Sequence, residues 1–525
     1  MNKRNIYLPI FLAVAIAIGI FIGSNLNYHN KTALIFRANP QEQKIKKLID
    51  FIEYDYVDKI NTDSLLDGTI KNIVSKLDPH SVYIPADEHE DIEERMNGKF
   101  VGIGIQFRMI RDSLTIINTI KDGPSEKVGL KAGDRILMAD SDSLSGNNLQ
   151  SDAIINKLKG NKNSVVTLRV YRRIDKTTLD YEVARGEVPI KSVDAAYLIK
   201  DDVGYIKLHN FTATSYKEFS KELTKLVAKG MKTLVFDLRG NTGGFIGVTT
   251  KIIDEFLEDN KLIVFTKNNK GAVEKIFATD KGDFENGKVY VLIDEDSASA
   301  SEILAGALQD NDKGVIVGRR SFGKGLVQQD MELGDGSSVR LTTARYYTPT
   351  GRSIQKPYRL NHKSEYYQDD FQKRYLRGEL TSKDSIHIVD SLKFTTPKGK
   401  IVYGGGGIIP DVFVPLDTSN MVGNFYFNAM NDFVFNYVDN HRIDFDNLTI
   451  TSFMESFDLD NKISKAYFKG LSKKFQPKNK HHQQIKHYLK AMFVRELFNN
   501  YGFYQVLNSD DKVIQKVLEL EGVKQ

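Results

Sequence analysis

The chain contains 525 residues, of which 41% are hydrophobic and 27% are charged, so it is long enough for about three or four domains and is neither disordered nor collagen-like. It contains no cysteine, which excludes a thiol nucleophile, cysteine-ligated metal sites and disulfides. The net charge of +5 is uneven, because residues 461–525 carry 13 Lys or Arg against 5 Asp or Glu, and a protein that coats nucleic acid is therefore not indicated.

An apolar segment near the N-terminus is the first predicted element. Residues 6–23 carry no charge and follow Lys3 and Arg4. As a helix this segment would span about 27 Å, close to the thickness of a bilayer core, and the preceding positive charges favour a cytoplasmic N-terminus. A cleaved signal peptide is the alternative, but no small-x-small site follows at the expected distance. We therefore expect residues 1–30 to form an uncleaved membrane anchor.

Helices are predicted in the next segment, residues 40–92. Apolar residues recur at helical spacing from Gln41 to Ser75, with a break around residues 58–62. This pattern predicts two helices.

Residues 93–186 change to a pattern of short strands. A single helix near residues 149–158 interrupts them, which is typical of a small, partly open barrel or sandwich. The predicted strands are residues 101–107, 114–120, 165–171 and 178–183.

From Val203 onward, strands and helices alternate, and this rhythm predicts a parallel sheet. The predicted strands around Leu234 and Tyr290 are continuous apolar runs, as expected of buried parallel strands. We assign residues 187–420 to this domain and interpret the polar residues 358–400 as an insertion in it. The basic residues 421–525 are expected to form a helical extension.

Three serines alternate with alanines after the Tyr290 strand, at Ser297, Ser299 and Ser301. A serine at the carboxyl end of a parallel strand, next to a helix N-terminus, is well placed for nucleophilic attack, because the free N–H groups there favour a developing oxyanion. Ser299 and Glu302 also fit a helix capping box, which on local pattern alone is the more common role.

A second candidate is Lys324, which lies between two glycines. A serine nucleophile needs a base, and no histidine occurs between His209 and His362. Lysine can take this role if burial lowers its pKa from about 10.4 towards 7–8. A surface or phosphate-binding lysine is the alternative, although the P-loop pattern is not matched.

A third candidate is the glycine-rich turn of residues 237–244, which follows a predicted buried strand. Paired glycines let backbone N–H groups approach an anion closely. The alternative is an ordinary strand-to-helix turn, which is a good explanation of the glycines when they are considered in isolation.

Together these segments resemble the C-terminal processing peptidases, a family of tail-specific serine proteases. The resemblance extends over roughly residues 40–417 and implies a multidomain α+β fold with an α/β, crotonase-like ββα protease core, an inserted PDZ-like β domain, and helical segments at both ends. The matching motifs are Leu77-Asp-Pro-His-Ser81, Asp237-Leu-Arg-Gly-Asn-Thr-Gly-Gly244, Ser297-Ala-Ser-Ala-Ser-Glu302, Phe322-Gly-Lys-Gly325, Gly351-Arg-Ser-Ile-Gln355 and Gly407-Ile-Ile-Pro-Asp411.

The resemblance also implies catalytic roles. Ser299 would be the nucleophile and Lys324 the general base, and the spacing to this lysine selects Ser299 over Ser297 and Ser301. Gln328, expected one helical turn beyond Lys324, would orient the lysine.

Further residues are implied with less direct roles. The backbone N–H groups of Ala300 and of Gly243 or Gly244 would bind the oxyanion. Asp310 matches a position that is linked to activity in some members of the family.

By the same resemblance, residues 93–186 look like a PDZ domain. Backbone N–H groups of a PDZ loop capture a terminal carboxylate, and its edge strand accepts the peptide as an added strand. The peptide is expected at Val101, Gly102, Ile103, Gly104 and Ile105.

The leading hypothesis is a serine endopeptidase that recognises envelope proteins by their C-terminal tails and cleaves them with a Ser–Lys dyad, without a metal or other cofactor. We expect it in the cell envelope, anchored in the inner membrane with its catalytic part on the periplasmic or extracytoplasmic side. Its expected partners are proteins or peptides with free C-terminal tails and the membrane, a homo-oligomer is left open, and no nucleic acid is expected. One alternative is a non-catalytic PDZ scaffold that binds tails, and another is a peptidase with His80 or His209 as its base.

Overall fold

The structure is a computed structural model. It divides into two compact units, Met1–Asn72 and Ile73–Gln525. Among its described residues, no helix is both long and apolar enough to cross a membrane. Apart from residues 13–16, the expected anchor at residues 6–23 lies outside the described residues. These are residues 13–16, 40–110, 113–145, 151–360, 366–367, 370–418, 423–445, 448–457, 461–472, 476–477 and 481–523.

The two helices predicted before residue 92 are present, and they are separated by a short break as expected. They are α1 (Pro40–Asp55) and α2 (Thr62–Ser75). A short strand and a further helix follow, β1 (Val82–Ile84) and α3 (Ala86–Asn97).

The strand-rich region forms an antiparallel sheet in the order β3-β4-β5-β7-β8, with β6 paired to β5. The predicted strand 101–107 is in fact two strands, because Gly104 turns the chain at a φ of +74°. The strand at residues 135–139 was not predicted. The elements are β2 (Lys99–Gly102), β3 (Ile105–Ile110), β4 (Ser113–Thr119), α4 (Pro124–Lys127), β5 (Arg135–Ala139), β6 (Asp142–Ser143), α5 (Ser151–Leu158), β7 (Val165–Arg172), β8 (Thr177–Ala184) and β9 (Gly186–Pro189).

The alternating region forms the predicted sheet, in the order β10-β11-β12-β15-β16-β21. Within this sheet, β11, β12, β15, β16 and β21 are parallel to one another, and β10 is antiparallel to β11. The carboxyl ends of β12 and β15 lie side by side, since Asp237 pairs with Leu292. The elements of this sheet and its helices are β10 (Val193–Lys200), β11 (Val203–Leu208), α6 (Ser215–Ala228), β12 (Thr233–Asp237), α7 (Ile246–Asp254), β15 (Lys288–Ile293), α8 (Ala300–Asp310), β16 (Gly314–Gly318) and β21 (Val412–Phe413).

A second, antiparallel sheet was not predicted. Its central strand β18 pairs with β1, β13 and β17, so it joins the segment after α2 to the segment that follows Lys324. Besides β1, its strands are β13 (Leu262–Asn268), β14 (Val273–Phe277), β17 (Leu326–Glu332) and β18 (Ser338–Tyr347). The insertion forms α9 (Asp370–Leu376) and β19 (Lys393–Thr395), and β19 pairs with β20 (Ile401–Tyr403) in a separate two-stranded sheet.

The C-terminal helices contact both the core with the parallel sheet and the strand-rich domain. Asp511 accepts a hydrogen bond from Arg239 of the core (2.7 Å). Asp439 accepts from Arg135 (3.0 Å) and Arg173 (2.7 Å) of the strand-rich domain. These helices are α10 (Asn424–Asn440), α11 (Arg442–Phe445), α12 (Ile450–Ser456), α13 (Lys462–Gly470), α14 (His482–Leu497), α15 (Asn500–Asn508) and α16 (Lys512–Leu520).

Candidate active site

Ser299 differs from the two neighbouring serines in exposure. It is partly exposed at the N-cap of α8, with a φ of 55° that is strained for a residue other than glycine. Ser297 and Ser301 are fully buried. Their hydroxyls donate to backbone carbonyls, from Ser297 to Leu238 (2.9 Å) and from Ser301 to Asn241 (2.8 Å). Of the three, Ser299 is therefore the serine whose side chain reaches solvent.

Lys324 lies in the loop before β17 and is partly buried. Burial lowers its pKa, and the nearby guanidinium of Arg340 lowers it further. Its Nζ donates to Gln328 Oε1 at 3.0 Å. Ser299 and Lys324 both belong to the described part of the chain, and no hydrogen bond joins Ser299 Oγ to Lys324 Nζ there.

Gln328 contacts Lys324 as expected, but from a different local structure. The expected helical turn is wrong, because residues 326–332 form strand β17, with a shift in register between Val327 and Gln328. Gln328 Nε2 donates to the carbonyl oxygen of His80 at 2.9 Å. Because this carbonyl can only accept, the amide oxygen of Gln328 faces Lys324.

The motif at residues 77–81 supports this contact. Asp78 Oδ1 accepts from the N–H groups of His80 (2.8 Å) and Ser81 (3.0 Å), and its Oδ2 accepts from Ser81 Oγ (2.6 Å). These bonds fix the turn that presents the His80 carbonyl to Gln328. In the sequence this motif belongs to the resemblance, and no feature of it indicates a role in the Ser–Lys mechanism.

Glu302 connects the serine loop to the lysine loop, a role that its place in the predicted capping box does not indicate. One carboxylate oxygen accepts from the N–H groups of Ser299 (2.9 Å) and Lys324 (2.8 Å). The other accepts from Ser321 Oγ (2.5 Å) and the Gly323 N–H (2.7 Å). Burial raises the pKa of Glu302, and these four hydrogen bonds oppose that shift.

Tyr346 is a second connection that the sequence did not reveal. Its buried hydroxyl lies 2.7 Å from the carbonyl oxygen of Lys324 and 3.2 Å from that of Ser299. It lies on β18, a strand that was not predicted, so no signal in the sequence pointed to it.

The predicted oxyanion donors lie next to Ser299. A Cβ added to Gly243 would approach Ser299 Cβ to 2.8 Å and Ala300 N to 2.9 Å, so only glycine permits this contact. The Gly243 N–H already donates to Asn241 Oδ1 at 2.9 Å. The N–H groups of Gly244 and Ala300 donate no hydrogen bond within the described part of the chain. Of the predicted donors, these two are the ones available to an oxyanion.

Asp310 lies at the opposite end of α8 from Ser299, roughly 16 Å along the helix. Its carboxylate forms a fully buried ion pair with Arg352 (2.7 Å) and accepts from Thr350 Oγ1 (2.7 Å). It therefore holds the turn after β18 and does not touch Ser299.

Neither histidine considered as an alternative base bonds to Ser299 in the described part of the chain. The His209 side chain is 64% exposed and lies 3.8 Å from Asp194. His80 Nδ1 lies 2.7 Å from the Tyr367 hydroxyl.

Strand β3 is the edge of the strand-rich sheet, as peptide addition requires. The Gly104 carbonyl accepts from the Ile120 N–H at 2.9 Å. The N–H of the next residue, Ile105, therefore points away from β4 towards the open edge.

The rest of the predicted peptide-binding segment is partly engaged. The Val101 N–H donates to Glu94 Oε1 at 2.9 Å, and Gly102 pairs with Gly186. Ile103 is buried, and its carbonyl accepts from the Ser125 N–H at 2.9 Å. Gly104 is also buried and its carbonyl is engaged by Ile120, so Ile105, which is partly exposed on the edge strand, is the most open position of this segment.

Comparison with known protein families identifies four regions of the chain. The family models that match are Peptidase family S41 over residues 202–360, the PDZ domain over 101–184, the activating protease CtpB N-terminal domain over 23–88, and a family of unknown function (DUF8443) over 425–499.

Two relatives are each 34% identical to the chain. One is the carboxy-terminal processing protease CtpB of Bacillus subtilis (strain 168), matched over 319 residues, which are 60% of this chain and 65% of that protein, slightly under two thirds. The other is the carboxy-terminal-processing protease of Bartonella bacilliformis, matched over 349 residues, 64% of this chain and 78% of that protein. Among solved structures, the photosystem II D1 C-terminal processing protease aligns with 71% of this chain and 86% of its own, at 23% identity and a TM-score of 0.36.

Proposed function

Because the chain belongs to peptidase family S41 and is a serine-type peptidase that carries a PDZ domain, we propose that Ser299 and Lys324 form its catalytic dyad. We further propose that it cleaves proteins recognised by their C-terminal tails. The observation that carries this proposal is the buried Glu302 carboxylate, which binds the backbone N–H groups of both residues and so holds their loops together.

In the proposed reaction, Ser299 Oγ attacks the scissile carbonyl while its proton passes to the neutral amine of Lys324. The N–H groups of Ala300 and Gly244 donate to the oxyanion of the tetrahedral intermediate. The intermediate collapses when the Lys324 ammonium gives its proton to the leaving amine, which leaves an acyl-enzyme. Lys324 then takes a proton from water, the resulting hydroxide attacks the ester, and that proton returns to Ser299 Oγ. Gln328 directs the amine through its amide oxygen.

The proposed dyad must close before it reacts. Lys324 Nζ is bonded to Gln328 and not to Ser299. Catalytic hydrogen bonds are often long or absent without substrate and tighten in the Michaelis complex. Substrate binding is expected to bring Nζ within about 3 Å of Ser299 Oγ.

We propose the cell envelope as the place of action, with envelope proteins as substrates. The uncharged residues 6–23 and the preceding Lys3 and Arg4 support an anchor with the catalytic part outside the cytoplasm. Recovery of the intact chain in the soluble fraction of lysed cells, after high-speed sedimentation of membranes, would contradict the anchor.

The test of the dyad uses the full chain in detergent and a fluorogenic protein substrate with a free C-terminal tail. Ser299→Ala and Lys324→Ala should each reduce the rate of substrate cleavage at least about 1,000-fold, because acylation and deacylation both require the dyad. Lys267→Ala, which removes an exposed lysine of the same domain, is the matched control and should leave the rate unchanged. The dyad assignment is wrong if Ser299→Ala and Lys324→Ala cleave as fast as the parent.

Tail binding separates the peptidase from the scaffold alternative. Fluorescence anisotropy with a labelled tail peptide should show binding to Ser299→Ala, and amidation of the peptide's C-terminus should weaken it because the carboxylate is lost. Binding to the parent without any turnover would favour the scaffold.

A further inference from the structure

The insertion at residues 358–400 reaches the proposed active site through Tyr367. The Tyr367 hydroxyl lies 2.7 Å from His80 Nδ1. Its ring stacks on Phe322 of the lysine loop, with centroids 6.0 Å apart and planes 26° apart, and meets the His80 ring edge-on at 5.7 Å. Residue 367 lies beyond the region that matches the S41 family model, which ends at residue 360.

His80 links Tyr367 to the lysine. Its ring binds Tyr367, and its carbonyl accepts from Gln328 Nε2 at 2.9 Å. The other end of the same amide accepts from Lys324 Nζ at 3.0 Å. Three hydrogen bonds, together with the covalent link between the ring and the carbonyl of His80, therefore connect the insertion to the proposed base.

We infer that Tyr367 is a positioning residue, which holds His80 so that Gln328 presents its oxygen to Lys324. This inference rests on the proposed function. An amide side chain has two nearly isosteric orientations, and only one of them accepts a hydrogen bond from an amine. The His80 carbonyl selects this orientation, and the Tyr367 hydroxyl fixes the ring of the residue that carries the carbonyl.

Tyr367→Phe is the decisive variant, because it removes the hydroxyl and keeps the ring that stacks on Phe322. With the tail substrate, kcat should fall about 10-fold with KM unchanged, since misorientation of the base affects the chemical step. Tyr375→Phe is the matched control, because Tyr375 is a 51% exposed tyrosine of the same insertion. An unchanged kcat in Tyr367→Phe, or an equal loss in Tyr375→Phe, would overturn the inference.

A double-mutant cycle tests whether the effect passes through Gln328. If Tyr367 acts by orienting this amide, Tyr367→Phe should cause no further loss in a Gln328→Ala background. If the two losses simply multiply, Tyr367 acts by another route and the inference fails.

The pKa of Lys324 gives a readout that does not require activity. Competitive acetylation with acetic anhydride, followed by peptide mapping, measures it against pH in the folded protein. The charged groups that act on this amine are Arg340, Glu302 and Asp78, and none of them is altered in the variants.

The direction in which the pKa of Lys324 changes distinguishes a specific loss of positioning from a general loosening of the structure. Gln328→Ala removes the acceptor that favours the ammonium of Lys324 and should lower the pKa of this residue, and Tyr367→Phe should lower it in the same direction because the Gln328 oxygen is no longer held towards the amine. A general loosening would admit water and raise this pKa instead, which would refute the inference. If the parent protein cleaves no substrate, the proposed function fails, and this measurement still decides the inference.

Discussion

The arrangement of the proposed site depends most on the hydrogen bonds of the Glu302 carboxylate. The variant Glu302→Gln tests this dependence. Each of its oxygens accepts two hydrogen bonds. An amide has a single acceptor oxygen, so two of the four donors must face its NH2 group. In the less costly orientation the oxygen remains on Ser299 and Lys324, and the NH2 faces Ser321 and Gly323. Ser321 can rotate its hydroxyl to accept, whereas the Gly323 N–H cannot accept.

The magnitude follows from this count. A buried, unsatisfied N–H costs about 1–3 kcal/mol, and the bond from Ser321 to a charged acceptor adds about 1.5 kcal/mol. Glu302→Gln should therefore lower the free energy of unfolding by about 3 kcal/mol. For a domain of this size this corresponds to a fall in melting temperature of roughly 6–12 °C.

Calorimetry of the full chain measures this change. Glu258→Gln is the matched control, because the Glu258 side chain is 74% exposed and its contact with Lys261 is 3.7 Å long, and it should change the stability by less than about 0.5 kcal/mol. A melting temperature of Glu302→Gln within about 1 °C of the parent would show that the four bonds do not hold the two loops together.

Two further predictions concern the Lys324 amine and the contact between the C-terminal helices and the strand-rich domain. Burial lowers the pKa of Lys324 in the folded protein below 10.5, its value in the unfolded chain. Below the folded-state pKa, the charged amine therefore reduces the free energy of unfolding. Between the folded-state pKa and 10.5 the unfolded state binds more protons, so the free energy of unfolding rises with pH. Lys324→Met should therefore raise the melting temperature at neutral pH, and a gain that does not shrink towards pH 10.5 would contradict this reasoning. Asp439→Ala removes the acceptor of Arg135 and Arg173 from a side chain that is 6% exposed, and should cost about 2 kcal/mol and increase hydrogen exchange in β5 and α10. The control is Asp180→Ala, which breaks an exposed ion pair with Arg169. Equal rates of hydrogen exchange in the two variants would show that Asp439 does not hold the C-terminal helices against the strand-rich domain.

The parallel sheet was predictable because its strands are buried on both faces. Residues such as Leu234 and Val291 are fully buried, and such strands appear in a sequence as uninterrupted apolar runs. The second sheet gave no such signal. Its strand β17 contains Gln329, Asp330 and Glu332, which are exposed, and its pairing with β18 depends on contacts across the fold that local periodicity does not record.

The choice of Ser299 shows what the structure adds to sequence spacing. Three serines in one short segment are chemically alike, and the sequence separates them only by their distance from Lys324. The structure separates them by their partners, because Ser297 and Ser301 are buried and donate to carbonyls while Ser299 is partly exposed on a strained backbone. Burial of this kind depends on the turn at Gly243, which the sequence places about 55 residues away.

The contact between Lys324 and Gln328 was predicted from an incorrect local structure. A helix would place side chains four residues apart on the same face, whereas here Lys324 lies in the loop before β17 and Gln328 follows a shift in register within that strand. The contact therefore depends on the loop and on the irregular strand, which the spacing does not indicate. The two local structures also differ in the partner that they give the Gln328 amide. A helix would satisfy its own backbone, whereas strand β17 pairs with β18, which also pairs with β1 next to His80. The strand thus gives Gln328 a fixed carbonyl partner at His80, and it is this partner that makes its orientation depend on residues far away in sequence.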